Sequence, residues 1–152
     1  MEELPAIMEI YDEARAFMRE NGNPEQWRDG YPDRGLVAGD IRAGACHVCV
    51  QGGAIAAVFY FNVERDPTYA RIDGAWIGGE PCGVVHRIAR RRGAKGAGAH
   101  CISWCYAMSG NVKIDTHQDN APMLAVLGRL GFERCGTIWL ENGEARIAFQ
   151  KC

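Results

Sequence analysis

The stretch VVHRIARRRGAKGAGAHCISWCYAM, Val84 to Met108, decides how the chain is read. It opens as a short apolar strand, VVHRIA, and closes as an apolar helical stretch, AHCISWCYAM, with the basic, glycine-rich turn RRRGAKGAG between them. That order suits a phosphorylated ligand. Gly93, Gly96 and Gly98 put no Cβ in the turn, so successive N–H groups can take positive φ and converge on an anion. The helix behind them adds its unpaired first amides and the positive end of its dipole. Arg90, Arg91, Arg92 and Lys95 supply charge to phosphates beyond amide reach.

The turn lacks a Gly-Lys-Ser/Thr ending, and Gly96-Ala97-Gly98-Ala99-His100-Cys101 lacks the last glycine of the dinucleotide fingerprint, which argues against a nucleoside triphosphate or a dinucleotide. What remains is Gly-x-x-Gly-x-Gly at the head of a helix. It resembles the acetyl-CoA pyrophosphate loop of the GNAT N-acetyltransferases, Gln/Arg-x-x-Gly-x-Gly/Ala, with Gly93 at the Gln/Arg position and Arg92 one residue early. From Asn111, NVKIDTHQDNAPMLAVLGRLGFERCGTIWLENGEARIAFQKC resembles the C-terminal half of that family. Asn120 matches its helix-start asparagine, and Gly131 with Phe132 its Gly-Phe. QWRDGYP, HRIA and IDTHQDN resemble a small bacterial subgroup of the family, and the resemblance runs from Met8 to Lys151.

The resemblance implies an α/β (α+β) fold: a mixed, mostly antiparallel sheet with one parallel, splayed strand pair, flanked by helices, in one domain over 1–152. It also implies an enzyme that moves an acetyl group from acetyl-CoA to a primary amine of a small molecule or protein, by direct attack in a ternary complex. The pantetheine arm would lie along His86, Arg87 and Ile88, with an amide near Ile88 facing the thioester carbonyl. Gly93, Ala94, Lys95, Gly96, Ala97 and Gly98 would hold the pyrophosphate, and Asn120 is carried over as a cofactor residue. The family's usual glutamate base falls near Cys82, and its thiolate-protonating tyrosine falls on Leu127. Both departures leave open a CoA-binding or regulatory module without turnover.

Acetyl transfer needs a neutral amine, a stabilised oxyanion and a proton for the thiolate. Strand parity puts Cys82, Val84, His86 and Ile88 on one face, where His86 is the group whose ordinary pKa lies near neutrality. It is the first candidate base; the alternative is an imidazole that orders the sheet. His117, after Asp115 and Thr116 at the end of the second parallel strand, is the second candidate for proton transfer, against a capping role for its neighbours. Trp27, Tyr31, Asp73, Trp76 and Asp115 are the candidates for acceptor recognition. Loop aromatics also serve as anchors on a core, and Asp73 before Gly74 also reads as a turn aspartate.

At 152 residues the chain is long enough for a core of its own. With 17 basic and 19 acidic side chains the net charge is −2, which disfavours nucleic acid as a partner. The longest apolar run, Ala54 to Phe61, is too short for a membrane span, and MEELP is unlike a signal peptide. Seven cysteines, an odd number without a framework, suggest reduced thiols in a cytoplasm. Cys46 and Cys49 form a C-x-x-C, but on a strand, with no second ligand pair, so no metal is expected.

Helical spacing places Ile7, Ile10, Tyr11, Ala14, Phe17 and Met18 on one face, stopped at Asn21-Gly22. Asn23 to Gly39 reads as a loop, with a short helix near Ile41. Cys46–Val50 and Ala54–Val63 form a hairpin over Gly52-Gly53, and Asp66 to Gly83 reads as a strand and loop. A parallel β-α-β unit follows from Val84 to Asp115, then an Asn120-capped helix and a hairpin over Asn142-Gly143. The edge of that hairpin suggests a homodimer.

Overall fold

The computed structural model describes residues 1–152. In chain order the elements are α1 (Leu4–Glu20), α2 (Arg34–Arg42), β1 (Cys46–Gln51), β2 (Ala54–Val63), a 3₁₀ turn (Pro67–Tyr69), β3 (Asp73–Gly74), β4 (Gly83–Arg90), α3 (Ala97–Ser109), β5 (Val112–Thr116), α4 (Ala121–Arg129), β6 (Glu133–Trp139) and β7 (Ala145–Lys151). The strands hydrogen-bond in the order β1-β2-β4-β5-β7-β6-β3. β4 and β5 are parallel, while β1–β2, β5–β7, β6–β7 and β3–β6 are antiparallel. This is the expected α/β class, with its one parallel pair. That pair is short: it joins Gly83–Val85 to Val112–Ile114 and stops.

The chain folds as two compact units, Met1–Phe61 with His86–Ile102, and Asn62–Val85 with Ser103–Cys152. In the first, α1 begins with a proline in its opening turn and ends at Asn21, before Gly22 at φ 77°. Leu4, Ile7, Ile10 and Tyr11 form a core with Val37, Val58 and Ala89. Phe17 and Met18 are only half-buried, because those partners meet the first half of the helix. α2 begins at Arg34, earlier than the sequence suggests. Asp33 caps it by accepting the Leu36 N–H at 2.9 Å, a cap that outweighs Gly35 and Gly39.

In the second unit, Tyr69, Cys82, Val84, Ile138 and Ala148 are buried together. The strand expected within Asp66–Gly83 shrinks to Asp73–Gly74, paired with Thr137 and Gly136. A Cβ on Gly74 or Gly136 would collide with the facing backbone, so only glycine allows this approach. β7 is an interior strand, and β3 covers the middle of β6. The edge from which the sequence suggests a second copy is therefore partly closed by the chain itself.

Gln150, fully buried on β7, organises the irregular segment beside it. Its Oε1 accepts the N–H groups of Ile77 (2.9 Å) and Gly78 (3.1 Å), while its Nε2 donates to Gly78 O (3.1 Å) and Asn111 Oδ1 (2.7 Å). Replacing Gln150 with Leu keeps the volume but strands the two donors, at about 2 to 4 kcal/mol in total. Chemical denaturation of Gln150→Leu is expected to show that loss, and a variant as stable as wild type would contradict this role.

Candidate functional site

In the first unit, β4 runs into the glycine-rich turn and then α3. Gly93 and Gly96 take φ of 85° and 80°, as expected, but Gly98 does not: it lies in the first turn of α3 with an ordinary helical backbone. Three amides of the turn are spent internally, with Ala94 donating to Arg91 O, Lys95 to Gly93 O and Ala97 to Ala94 O. The N–H groups of Gly93, Gly96, Gly98 and Ala99 are given no acceptor by the chain. A Cβ on Gly93, Gly96 or Gly98 would meet nothing within 4 Å. The turn thus has the open space and unpaired donors of an anion cradle.

Its positive charge is arranged differently from the sequence expectation. Arg91 bonds Glu13 (2.9 Å), lies 3.5 Å from Glu9 and donates to Ile55 O. Arg92 pairs with Glu20 at 2.8 Å, and its N–H donates to Glu13. Arg90 donates to Arg91 O. The acidic side of α1 therefore ties down two of the arginines expected to serve phosphates, because Glu9, Glu13 and Glu20 lie along one side of that helix. Lys95 is bound to no acidic side chain.

Upstream on β4, the half-buried His86 has its ring 5.7 Å from that of Tyr60. Arg87 takes φ 51°. A left-handed residue inside a strand breaks the two-residue alternation, so the parity that groups Ile88 with Val84 and His86 does not carry past Arg87. The Arg87 carbonyl accepts the Tyr11 hydroxyl (2.9 Å), a donor whose pKa burial pushes well up. Its guanidinium binds Asp40 through Nε (3.0 Å) and Nη2 (2.9 Å), donates to Tyr31 OH (3.3 Å) and lies 4.7 Å from the Tyr60 ring centre. Trp27 sits edge-on to both Tyr11 and Tyr31 and packs on the core, so at least part of its role is as an anchor. Sequence reading missed Asp40, Tyr11 and Tyr60. No local signal marks them, since they come from three separate elements.

In the second unit, the Tyr69 hydroxyl donates to Asp115 Oδ1 at 2.7 Å, and burial, with Asp115 beside it, raises its pKa far above the ordinary value. Trp76 donates to Tyr69 O (3.0 Å), its ring lies tilted at 5.2 Å from that of Tyr69, and Lys113 Nζ lies over it at 4.7 Å from the ring centre. It is packed as an anchor. Asp73 is exposed on β3. Asn120 caps α4, accepting the Met123 N–H at 3.2 Å. His117 Nδ1 accepts the Asp119 N–H at 3.0 Å. In neutral His117 the proton then sits on Nε2, which suits a donor rather than a base.

Cys82, at the position of the family's glutamate, donates its thiol to Glu80 at 3.0 Å, and its pKa is pushed up to about 12, mainly by burial. The Cys82 thiol and Lys113 (3.1 Å) hold the Glu80 carboxyl below its ordinary range. Neither is a proton acceptor suited to neutral pH. Leu127, where the family has tyrosine, is fully buried. No group of three or more His, Cys, Asp and Glu side chains is placed to hold a metal.

No protein-family model matches the chain, and no curated protein matches it. Solved structures do. A GNAT-family acetyltransferase from Streptococcus agalactiae is 28% identical, with a TM-score of 0.83 over 99% of this chain and 90% of the other. A protein described as a putative acetyltransferase from Staphylococcus aureus is 19% identical, with a TM-score of 0.73 over 99% and 93%. A ribosomal-protein-alanine N-acetyltransferase from Brucella melitensis is 18% identical, with a TM-score of 0.63 over 98% and 93%. The chain has the fold of the GNAT acetyltransferases, as the resemblance of its motifs implies. No helix is long and apolar enough to cross a membrane.

No disulfide joins any of the seven cysteines, and burial raises Cys46 to about 11 and both Cys82 and Cys101 to about 12, so these three stay protonated near neutrality. Cys152 is exposed. Iodoacetamide at pH 8 is expected to label Cys152 first and Cys82 and Cys101 last, read by peptide mass spectrometry. Labelling of Cys82 as fast as Cys152 would contradict the burial argument.

Proposed function

We propose that residues 1–152 act as one acetyltransferase domain that moves the acetyl group of acetyl-CoA onto a primary amine of a small molecule or protein. The observation that carries this is the turn before α3, with four unpaired amides, in a chain whose fold is that of acetyltransferases. Gly93 to Gly98 would hold the pyrophosphate, with Lys95 as its cation, and the pantetheine arm would run along Arg87 and Ile88. The parallel ladder ends at Val85, which leaves the next stretch of β4 outside that ladder and supports this assignment. His86 accepts the amine proton, directly or through water. The departing thiolate takes a proton from solvent, since a thiol is acidic enough to need no strong acid, and His117 remains the second candidate for proton transfer. Asn120 would add a cofactor contact, and Tyr31, Trp27, Asp73, Trp76 and Asp115 remain the residues proposed for the acceptor side.

A second reading, a CoA-binding module without turnover, is favoured by the buried thiol of Cys82 and by Leu127. Calorimetry with acetyl-CoA and turnover with a panel of primary amines separate the two readings. CoA release is best followed by chromatography, because seven thiols would react with a disulfide reagent.

Gly96→Val forces a β-branched residue to φ 80° and turns the loop amides away. In a folded variant, acetyl-CoA affinity is expected to fall about ten- to a hundredfold, the scale of one or two lost charge-assisted hydrogen bonds. Unchanged affinity by calorimetry would remove the loop assignment. For His86, Gln keeps a polar group and removes the basic nitrogen. Folded His86→Gln is expected to lose roughly 10²- to 10⁴-fold in kcat/KM while still binding acetyl-CoA. Wild-type kcat/KM in that folded variant would exclude His86 as the base.

A further inference from the structure

The turn, the histidine and the fold do not explain why Arg87 stands in a left-handed conformation. Apart from Asp29, it is the one residue other than glycine with positive φ, and it is the only such residue inside a strand. A side chain with a Cβ does not hold that conformation unless its surroundings over-determine it. Here they act on both ends of the residue. Tyr11, buried on α1, fixes the carbonyl. Asp40 on α2 takes two guanidinium nitrogens on one oxygen, Tyr31 receives a third, and the Tyr60 ring lies against the group. The Arg87 and Asp40 side chains are 11% and 12% exposed, so this ion pair is shielded from screening in a way that a surface pair is not.

We propose that Asp40 is a positioning residue: by clamping the Arg87 side chain it holds the bulge at His86–Ile88 in the shape that acetyl transfer requires. This rests on the acetyltransferase reading above and goes beyond it. In this proposal Asp40 need touch neither acetyl-CoA nor the amine. It acts through Arg87, which lies between the candidate base His86 and the backbone assigned to the thioester. With the clamp released, Arg87 can relax to an extended conformation, which turns the peptide groups on either side of it and moves the His86 ring. A displacement of about 1 Å at reacting groups costs on the order of a hundredfold in rate. The pyrophosphate turn is held separately, by Arg91 and Arg92 on α1, so binding of the CoA body is spared.

The test uses Asp40→Asn, which keeps size and an acceptor oxygen but removes the charge, and Arg87→Lys, which keeps the charge but removes the fork. In the protein without ligand, amide hydrogen exchange at His86–Ala89 is expected to quicken about tenfold or more in both variants, while Ile10 and Val58 in the core keep wild-type protection. In both variants kcat is expected to fall on the order of a hundredfold, a larger loss than calorimetry shows in CoA affinity. Asp40→Glu, which restores the carboxylate, should recover part of the rate. Unchanged exchange at His86–Ala89 overturns the clamp, and wild-type kcat in a folded Asp40→Asn enzyme overturns its role in transfer. If wild type turns over no amine, that result counts against the acetyltransferase reading. The exchange measurement still decides whether Asp40 holds the bulge.

Discussion

A parallel ladder only three residues long constrains the rest of the chain. Gly83–Val85 pair with Val112–Ile114, and the strand then continues for five residues outside that ladder. Backbone groups released from one ladder need other partners or a ligand, since buried amides and carbonyls are rarely left alone. The first unit meets part of that need by taking the Arg87 carbonyl onto Tyr11 and the Arg91 N–H onto Ala56 O at 2.9 Å. The strand is therefore supported by the short β5 ladder at its start, by β2 along its other edge and by the Tyr11 tether further on. A strand held in this way can expose peptide groups without fraying.

Charge in the first unit is largely internal. A run of three arginines suggests a polyanion site, yet Arg91 and Arg92 are paired with glutamates of α1. The pair at Arg92 is well exposed and fixes geometry more than it adds stability. What the turn offers to an anion is chiefly backbone: unpaired amides and the start of α3. This fits a glycine-rich sequence, because amide donors work only where no Cβ keeps the ligand away.

The second unit is organised by part-buried polar contacts that satisfy one another. Gln150 serves the Ile77–Gly78 backbone, Glu80 joins Cys82 to Lys113, and Tyr69 binds Asp115 while its carbonyl receives Trp76. Such networks make a core specific, because each member is costly to bury without its partner. They also explain how Asp66–Gly83 keeps a defined path with only a two-residue strand.

The sequence by itself determined the parallel β-α-β unit, the glycine-rich turn, the Asn120 cap and the C-terminal hairpin. Each is written in a local pattern of apolar periodicity, capping residue or turn glycine, and a local pattern is legible without the fold. It also held the two departures at Cys82 and Leu127. The tertiary structure decided what non-local contacts decide. It set the early start of α2, the collapse of the Asp66–Gly83 strand onto Gly136, and the diversion of Arg91 and Arg92 to α1. It also set the left-handed turn at Arg87, which breaks the parity used to group Ile88 with His86. Asp40 is 47 residues from Arg87 in the chain, and Tyr11 is 76. Periodicity and spacing describe neighbours along the chain, and neither can register a hydrogen bond between groups that only folding brings together.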